Sequence, residues 1–176
     1  PFIRGAEGTV RRLSNLEGAK AQGDPWAAKT YQKLEARIQR GFEELEQIDR
    51  QLDALEVIEN PKVSFAANET IFTPKSFEIA QRSDIGWRFI NMMVEADDRV
   101  CDIIEARDAG KLDINRARVM INTCTKQVRA ITSMIGQWKY TGVTEADVAA
   151  NNELAQKATA AMGELSNSVK PKPASL

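Results

Sequence analysis

The chain has 176 residues, 43% hydrophobic and 28% charged, with 24 Lys and Arg against 25 Asp and Glu, two cysteines and no histidine. A chain of this length buries roughly 68–70% of the surface it exposes when unfolded, so a core can form without disulfides or metals. The missing histidine excludes Ser-His and Cys-His nucleophile pairs and all imidazole metal sites, and two cysteines cannot build a four-cysteine zinc site within one chain.

The N-terminal Pro1-Phe2-Ile3-Arg4-Gly5 lacks the basic and apolar zones of a signal peptide, and no run of 18 apolar residues occurs. The sequence therefore reads as cytoplasmic. Gly5, Gly8, Gly18 and Gly23 punctuate the first segment and leave room for one short helix from about Val10 to Ala21. Asp24-Pro25 opens a long helix, since Asp caps the free amides of the first turn and Pro at the first position gives up an N–H that has no partner there. Along it Tyr31, Leu34, Ile38, Gly41, Leu45, Ile48, Leu52 and Leu55 recur at spacings of three and four, a heptad seam that fits a bundle helix or an intermolecular coiled coil. Asn60-Pro61 stops it.

Residues 62–65 and 70–79 hold Val63, Phe65, Ile71, Phe72, Phe77 and Ile79 with polar residues between, broken by Asn68 and Pro74. This predicts one to three short strands, a ribbon near 62–79, although Ala66-Ala67 and Pro74 also suit an irregular loop. Helical spacing returns over 84–109 through Ile85, Phe89, Met92, Ala96, Val100 and Ile103, and ends at Gly110. Asp113 caps the next helix, with the seam Ile114, Ala117, Ile121, Cys124, Val128, Ile131, Ile135 and Trp138. The short link between them predicts an antiparallel hairpin, with Cys101 and Cys124 as buried free thiols facing one core. Thr144 to Asp147 starts a last helix with a capping box, running to about Met162.

The expected fold class is mainly α with a small β element: antiparallel helices packed as a bundle plus a two- or three-stranded ribbon. Residues 1–165 form one mostly helical domain, and 166–176, with Pro171 and Pro173, a disordered tail.

Near-zero net charge hides segregation. Residues 43–60 hold seven acids and one base, Arg50, whereas residues 107–139 hold seven bases (Arg107, Lys111, Arg116, Arg118, Lys126, Arg129, Lys139) and two acids. At about 100° per residue, Arg118, Asn122, Lys126, Arg129 and Ser133 fall on one strip of the helix after Asp113. Such a strip can track phosphates or be a solvated face, and a pI of about 5.7 favours the solvated reading on residue type alone. Further basic groups are Arg4, Arg11, Arg12 and Lys20, and around the ribbon Lys62, Lys75 and Arg82. A ribbon fits the major groove, where Thr73 and Lys75 could meet base edges, although Thr and Lys are common on any exposed sheet face. For enzyme chemistry the best constellation is Glu95, Asp98 and Asp102 on one helix face. It could hold a hard cation, but Arg99 and Arg107 stand ready to pair with it. No enzyme activity and no cofactor is expected.

Three stretches resemble a family found on mobile elements. Gly23-Asp24-Pro25-Trp26-Ala27-Ala28 is similar to that family's opening. Gly86-Trp87-Arg88-Phe89 through Asp97-Asp98-Arg99-Val100 is similar to its central helix. Val128-Arg129-Ala130 with residues 140–148, then Ala161-Met162-Gly163-Glu164-Leu165, resembles its ending. The family comprises integrating-conjugative-element proteins similar to the activator AcaB; the chain departs from its pattern at Ala28, Asp97 and Glu145. The resemblance spans roughly residues 23–165. It implies a non-enzymatic DNA-binding regulator, an activator of conjugative-transfer genes, that uses a β-strand element, here residues 62–79 or partly a strand before Pro1. On that reading Lys62, Thr73, Lys75 and Arg82 specify sequence, Arg118, Lys126 and Arg129 position phosphates, and Arg11 and Arg12 are further DNA contacts. Expected partners are double-stranded DNA, a second copy matching a palindromic operator, and RNA polymerase or another regulator subunit, with no membrane. The alternative is a helical interaction or scaffold component of the conjugative element that binds no DNA.

Overall fold

The structure, a computed structural model, describes residues 2–55 and 83–165, with side chains from Ala6 onward. The described elements are α1 (Phe2–Ala21), α2 (Pro25–Asp53), α3 (Asp84–Asp108), α4 (Ile114–Gln137), α5 (Glu145–Ala150) and α6 (Glu153–Met162). Among the described residues there is no strand and no sheet. The protein is helical, which corrects the expectation of an α+β fold with a β ribbon. Each of the four long helices packs against the other three, so their apolar stripes cover one another and no sheet is needed to bury them. The segment 62–79 assigned to the ribbon, and the tail 166–176, lie outside the described residues.

Local chemistry sets the helix ends. Gly23 (φ +85°) closes α1, a left-handed geometry that costs glycine little. The backbone N–H of Asp24 then donates to Ala19 O at 3.1 Å. Asp24 caps α2 as expected, its Oδ1 accepting from the N–H groups of Trp26 and Ala27 at 2.9 and 3.0 Å. Gly110 (φ +71°) closes α3 in the same manner, with Lys111 N–H donating to Ala106 O at 2.9 Å. Leu112 is buried in the link, which anchors the start of α4.

The seams predicted for α2, α3 and α4 form the core. Leu34, Ile38, Ile85, Phe89, Ile103, Ile131 and Ile135 are fully buried, each stabilising the fold by about 1.5–3 kcal/mol relative to exposure. Cross-helix contacts set the directions. Arg88 meets Glu35 and Arg99 meets Asp49, so α2 and α3 run the same way. Met92 and Gln127 both face Gly41, while Cys124 lies in the field of Arg99 and Asp49, so α4 runs antiparallel to both. Gln127, buried between α2 and α4, accepts from Arg37 and donates to the Glu44 carboxylate at 3.1 Å, which fixes their register.

Four expectations change in detail. The first helix runs the full length Phe2–Ala21, because Ala6, Val10, Leu13 and Leu16 make a buried stripe that Gly5 and Gly8 do not interrupt. The last helix is two, since Asn151 takes a left-handed conformation (φ 46°) and Asn152 caps α6 anew. Ile114 is 64% exposed, being in the first turn before α4 enters the core. Cys101 is exposed, and only Cys124 is buried. Cys101 lies two residues from the buried Ile103, which turns it to the opposite side of α3.

Candidate nucleic-acid interface

Asp113 starts α4 by accepting from the N–H groups of Asn115 and Arg116 at 2.9 and 3.0 Å. From there the core seam Ala117, Met120, Cys124, Val128, Ile131 and Ile135 commits one side of the helix to the bundle. Arg118, Asn122, Lys126, Arg129 and Ser133 fall opposite that seam, and all five are exposed. The 24 residues of α4 contain no acid. Among the described residues Arg116, Arg118, Lys126 and Arg129 make no ion pair, whereas Arg107 is taken by Asp108 at 2.7 Å. The charged stretch of the strip from Arg118 to Arg129 runs about 16 Å at the helical rise, with no ion-pair partner among the described residues.

Tertiary packing adds to it. Arg12 Nη1 donates to Gly136 O at 2.9 Å, across 124 residues of sequence. The guanidinium thereby satisfies a carbonyl that the last turn of α4 leaves open and sits at the negative end of its dipole. Arg12, far from the α4 strip in sequence, is thereby brought to the C-terminal end of that helix, and Arg11 and Lys139 are exposed. Lys20 is engaged elsewhere, its Nζ stacking over the Tyr31 ring at 3.5 Å. Of the other predicted DNA contacts, Lys62, Thr73, Lys75 and Arg82 lie outside the described residues.

Of the α3 trio Glu95, Asp98 and Asp102, only Asp102 is drawn into an ion pair among the described residues. Arg99 bridges Asp102, at 3.2 Å, and Asp49 of α2. Among the described residues no group of three His, Cys, Asp or Glu is arranged to hold a metal ion. Among the described residues no helix is long and apolar enough to cross a membrane.

One feature that sequence reasoning missed is a groove of about 420 Å³ beside α1, lined by Asn15, Gly18, Gln22, Trp138 and Tyr140. The signal for its α1 wall was the polar spacing Arg11, Asn15, Gly18, Gln22; the wall from Trp138 and Tyr140 comes from chain more than a hundred residues away.

The N-terminus of α2 gathers distant chain in the same way. Asp24 Oδ2 accepts from Thr141 Oγ1 at 2.7 Å, Trp26 Nε1 donates to Gly163 O at 2.8 Å, and Lys29 Nζ donates to Glu164 O at 2.9 Å. Trp26, Val143, Ala155 and Ala158 form a small second core beneath these bonds.

The family model for the transcriptional regulator AcaB matches residues 1–172. The chain belongs to the AcaB family. Its members are described as transcriptional regulators, and this chain is one by membership. No curated protein and no solved structure matches it. Two of the three stretches that carry the AcaB resemblance, Gly23 to Ala28 and the ending 140–165, are the ones that meet at the start of α2. Their side chains are engaged with one another, which gives these AcaB motifs an architectural role. The departures Asp97 and Glu145 are exposed and Ala28 half-buried, positions where the fold tolerates exchange.

Proposed function

We propose that this chain is a DNA-binding transcriptional activator of conjugative-transfer genes on a mobile genetic element, acting in the cytoplasm and holding duplex DNA along α4. The observation that carries the DNA reading is the acid-free helix with Arg118, Lys126 and Arg129 exposed and unpaired among the described residues, with Arg12 bonded at its end. Family membership supports regulation, and the resemblance to proteins of conjugative elements supports the choice of genes.

Binding to a duplex of arbitrary sequence, measured over a salt series, tests the strip. Lys126→Ala and Arg129→Ala should each reduce the slope of log K against log salt by about 0.9, because each removes one released counterion. Arg107→Ala, whose guanidinium is already paired, should leave the slope unchanged. Equal slopes in all four proteins would remove the strip from the interface.

A second reading, a helical interaction component that binds a protein partner, is favoured by Trp87 and Val94. They are 50% and 54% exposed and lie one heptad apart on the outer face of α3. For an activator that partner is a second copy, RNA polymerase or another regulator subunit, and sedimentation with and without DNA separates the first from the others.

A further inference from the structure

We propose that the groove between α1 and the segment after α4 binds a free nucleoside, a flat uncharged heterocycle with hydrogen-bond donors and acceptors around its edge. The site is independent of DNA binding by α4, and it would give the regulator a small-molecule effector.

Distant parts of the chain make the two walls. Asn15, Gly18 and Gln22 stand at i, i+3 and i+7 on one face of α1, and Trp138 and Tyr140, two residues apart just past α4, stand opposite. The groove holds about 420 Å³, within the roughly 300–1,000 Å³ of small-molecule sites. No charged side chain lines it among the described residues, so an ionic group would be desolvated there without a counter-charge. The lining therefore favours an uncharged ligand.

Trp138 supplies the decisive observation. It is 7% exposed, and its indole N–H has no hydrogen-bond partner among the described residues. A buried indole N–H normally finds an acceptor, as that of Trp26 does by donating to Gly163 O at 2.8 Å. A ring nitrogen or carbonyl oxygen of a base supplies the acceptor that Trp138 lacks.

The other wall residues match the rest of such a ligand. Gln22 Oε1 accepts from the Tyr140 hydroxyl at 3.1 Å, which leaves its Nε2 to donate, and the Asn15 carboxamide is uncommitted among the described residues. Carboxamides pair with the donor and acceptor edge of a base, as Asn and Gln do with adenine N6 and N7. Tyr140 is 62% exposed yet held, by its bond to Gln22 and by Gly142, where a Cβ would stand 3.5 Å from its ring. A fixed exposed ring is a stacking face for a base. Gly18 agrees with this reading. A glycine inside a helix weakens it, and a Cβ there would meet nothing within 4 Å, so the fold has room for a side chain at that position. The missing side chain keeps the groove open.

The full chain, labelled with ¹⁵N, is titrated separately with adenosine, guanosine, cytidine, uridine and, as the sugar control, ribose. Binding is followed by calorimetry and by the three indole N–H signals, that of Trp138 being assigned with Trp138→Phe. At least one nucleoside should bind saturably and move the Trp138 signal while that of Trp87 stays in place, and ribose should do neither. Asn15→Ala should weaken that nucleoside by about 2- to 12-fold, the worth of one hydrogen bond. Gly18→Leu should fill the groove and abolish binding while raising thermal stability, an opposition that a purely structural role cannot produce. Absence of saturable binding by all four nucleosides would overturn the proposal, as would a Gly18→Leu variant that binds like the parent. A single-stranded oligonucleotide titrated in parallel separates the two sources of a base: binding of the strand with no binding of any free nucleoside would also overturn it.

Discussion

Thr141 donates its hydroxyl to a carboxylate oxygen of Asp24, 2.7 Å away and 117 residues earlier in the chain. Asp24 is 2% exposed, and its other oxygen caps α2, so one side chain both starts the longest helix and holds the segment that follows α4. Thr141→Val keeps the shape and removes the donor, leaving a buried carboxylate oxygen short of a partner. The expected loss is about 1–3 kcal/mol in urea denaturation. A shift below the error of the extrapolation would mean that water replaces the hydroxyl without cost.

At Gly41, α2 lies close against side chains of both α3 and α4. A Cβ there would run into Met92 Sδ and lie 3.4 Å from Gln127 Cβ, and Met92 is buried, so its thioether has little room to yield. Gly41→Ala should destabilise by about 1–3 kcal/mol despite its better helix propensity. Combining it with Met92→Ala should give a loss smaller than the sum of the two single losses. Strict additivity would show that Met92 already swings aside.

The two thiols should differ. Burial pushes the Cys124 thiol up to about 11, so it remains protonated and shielded at neutral pH. Cys101 is exposed, but partial burial first, and then Asp97, Asp102, Asp98 and Glu105, raise its thiol as well. A thiol-reactive dye should label Cys101 slowly in the native state and Cys124 only after denaturant is added. Two fast labelling phases without denaturant would contradict the packing around Cys124. Cys124→Asp should cost several kcal/mol, as expected for an unpaired buried carboxylate.

Asp147 closes the capping box of α5, accepting from Thr144 N–H at 2.9 Å, Thr144 Oγ1 at 2.7 Å and Asn152 Nδ2 at 2.6 Å. These bonds, the backbone one first, hold its carboxyl below the usual carboxylate range. A lowered pKa in the folded state means that the cap is fully in place above the ordinary carboxylate range and is lost as pH falls through the folded value. Amide exchange at Asp147 and Val148 should accelerate in that acid window and not above it. Asp147→Asn should abolish the pH dependence, and a dependence that persists would assign it to another acid.

Much of this protein was legible from residue spacing, because a helix turns its buried side by a fixed angle and the apolar residues must follow. The seams of α2, α3 and α4, the caps at Asp24 and Asp113, the box at Thr144 and the outward strip on α4 are all local consequences of that rule. Only the tertiary structure decided where Arg12 lands, that Thr141 and Gly163 close over the start of α2, and that Tyr140 faces Gln22. It also decided which cysteine is buried, since an apolar position on a helix face is buried only where another helix arrives to cover it. Spacing reports a side chain's direction from its own axis, and the partner waiting in that direction comes from the packing of chain a hundred residues away.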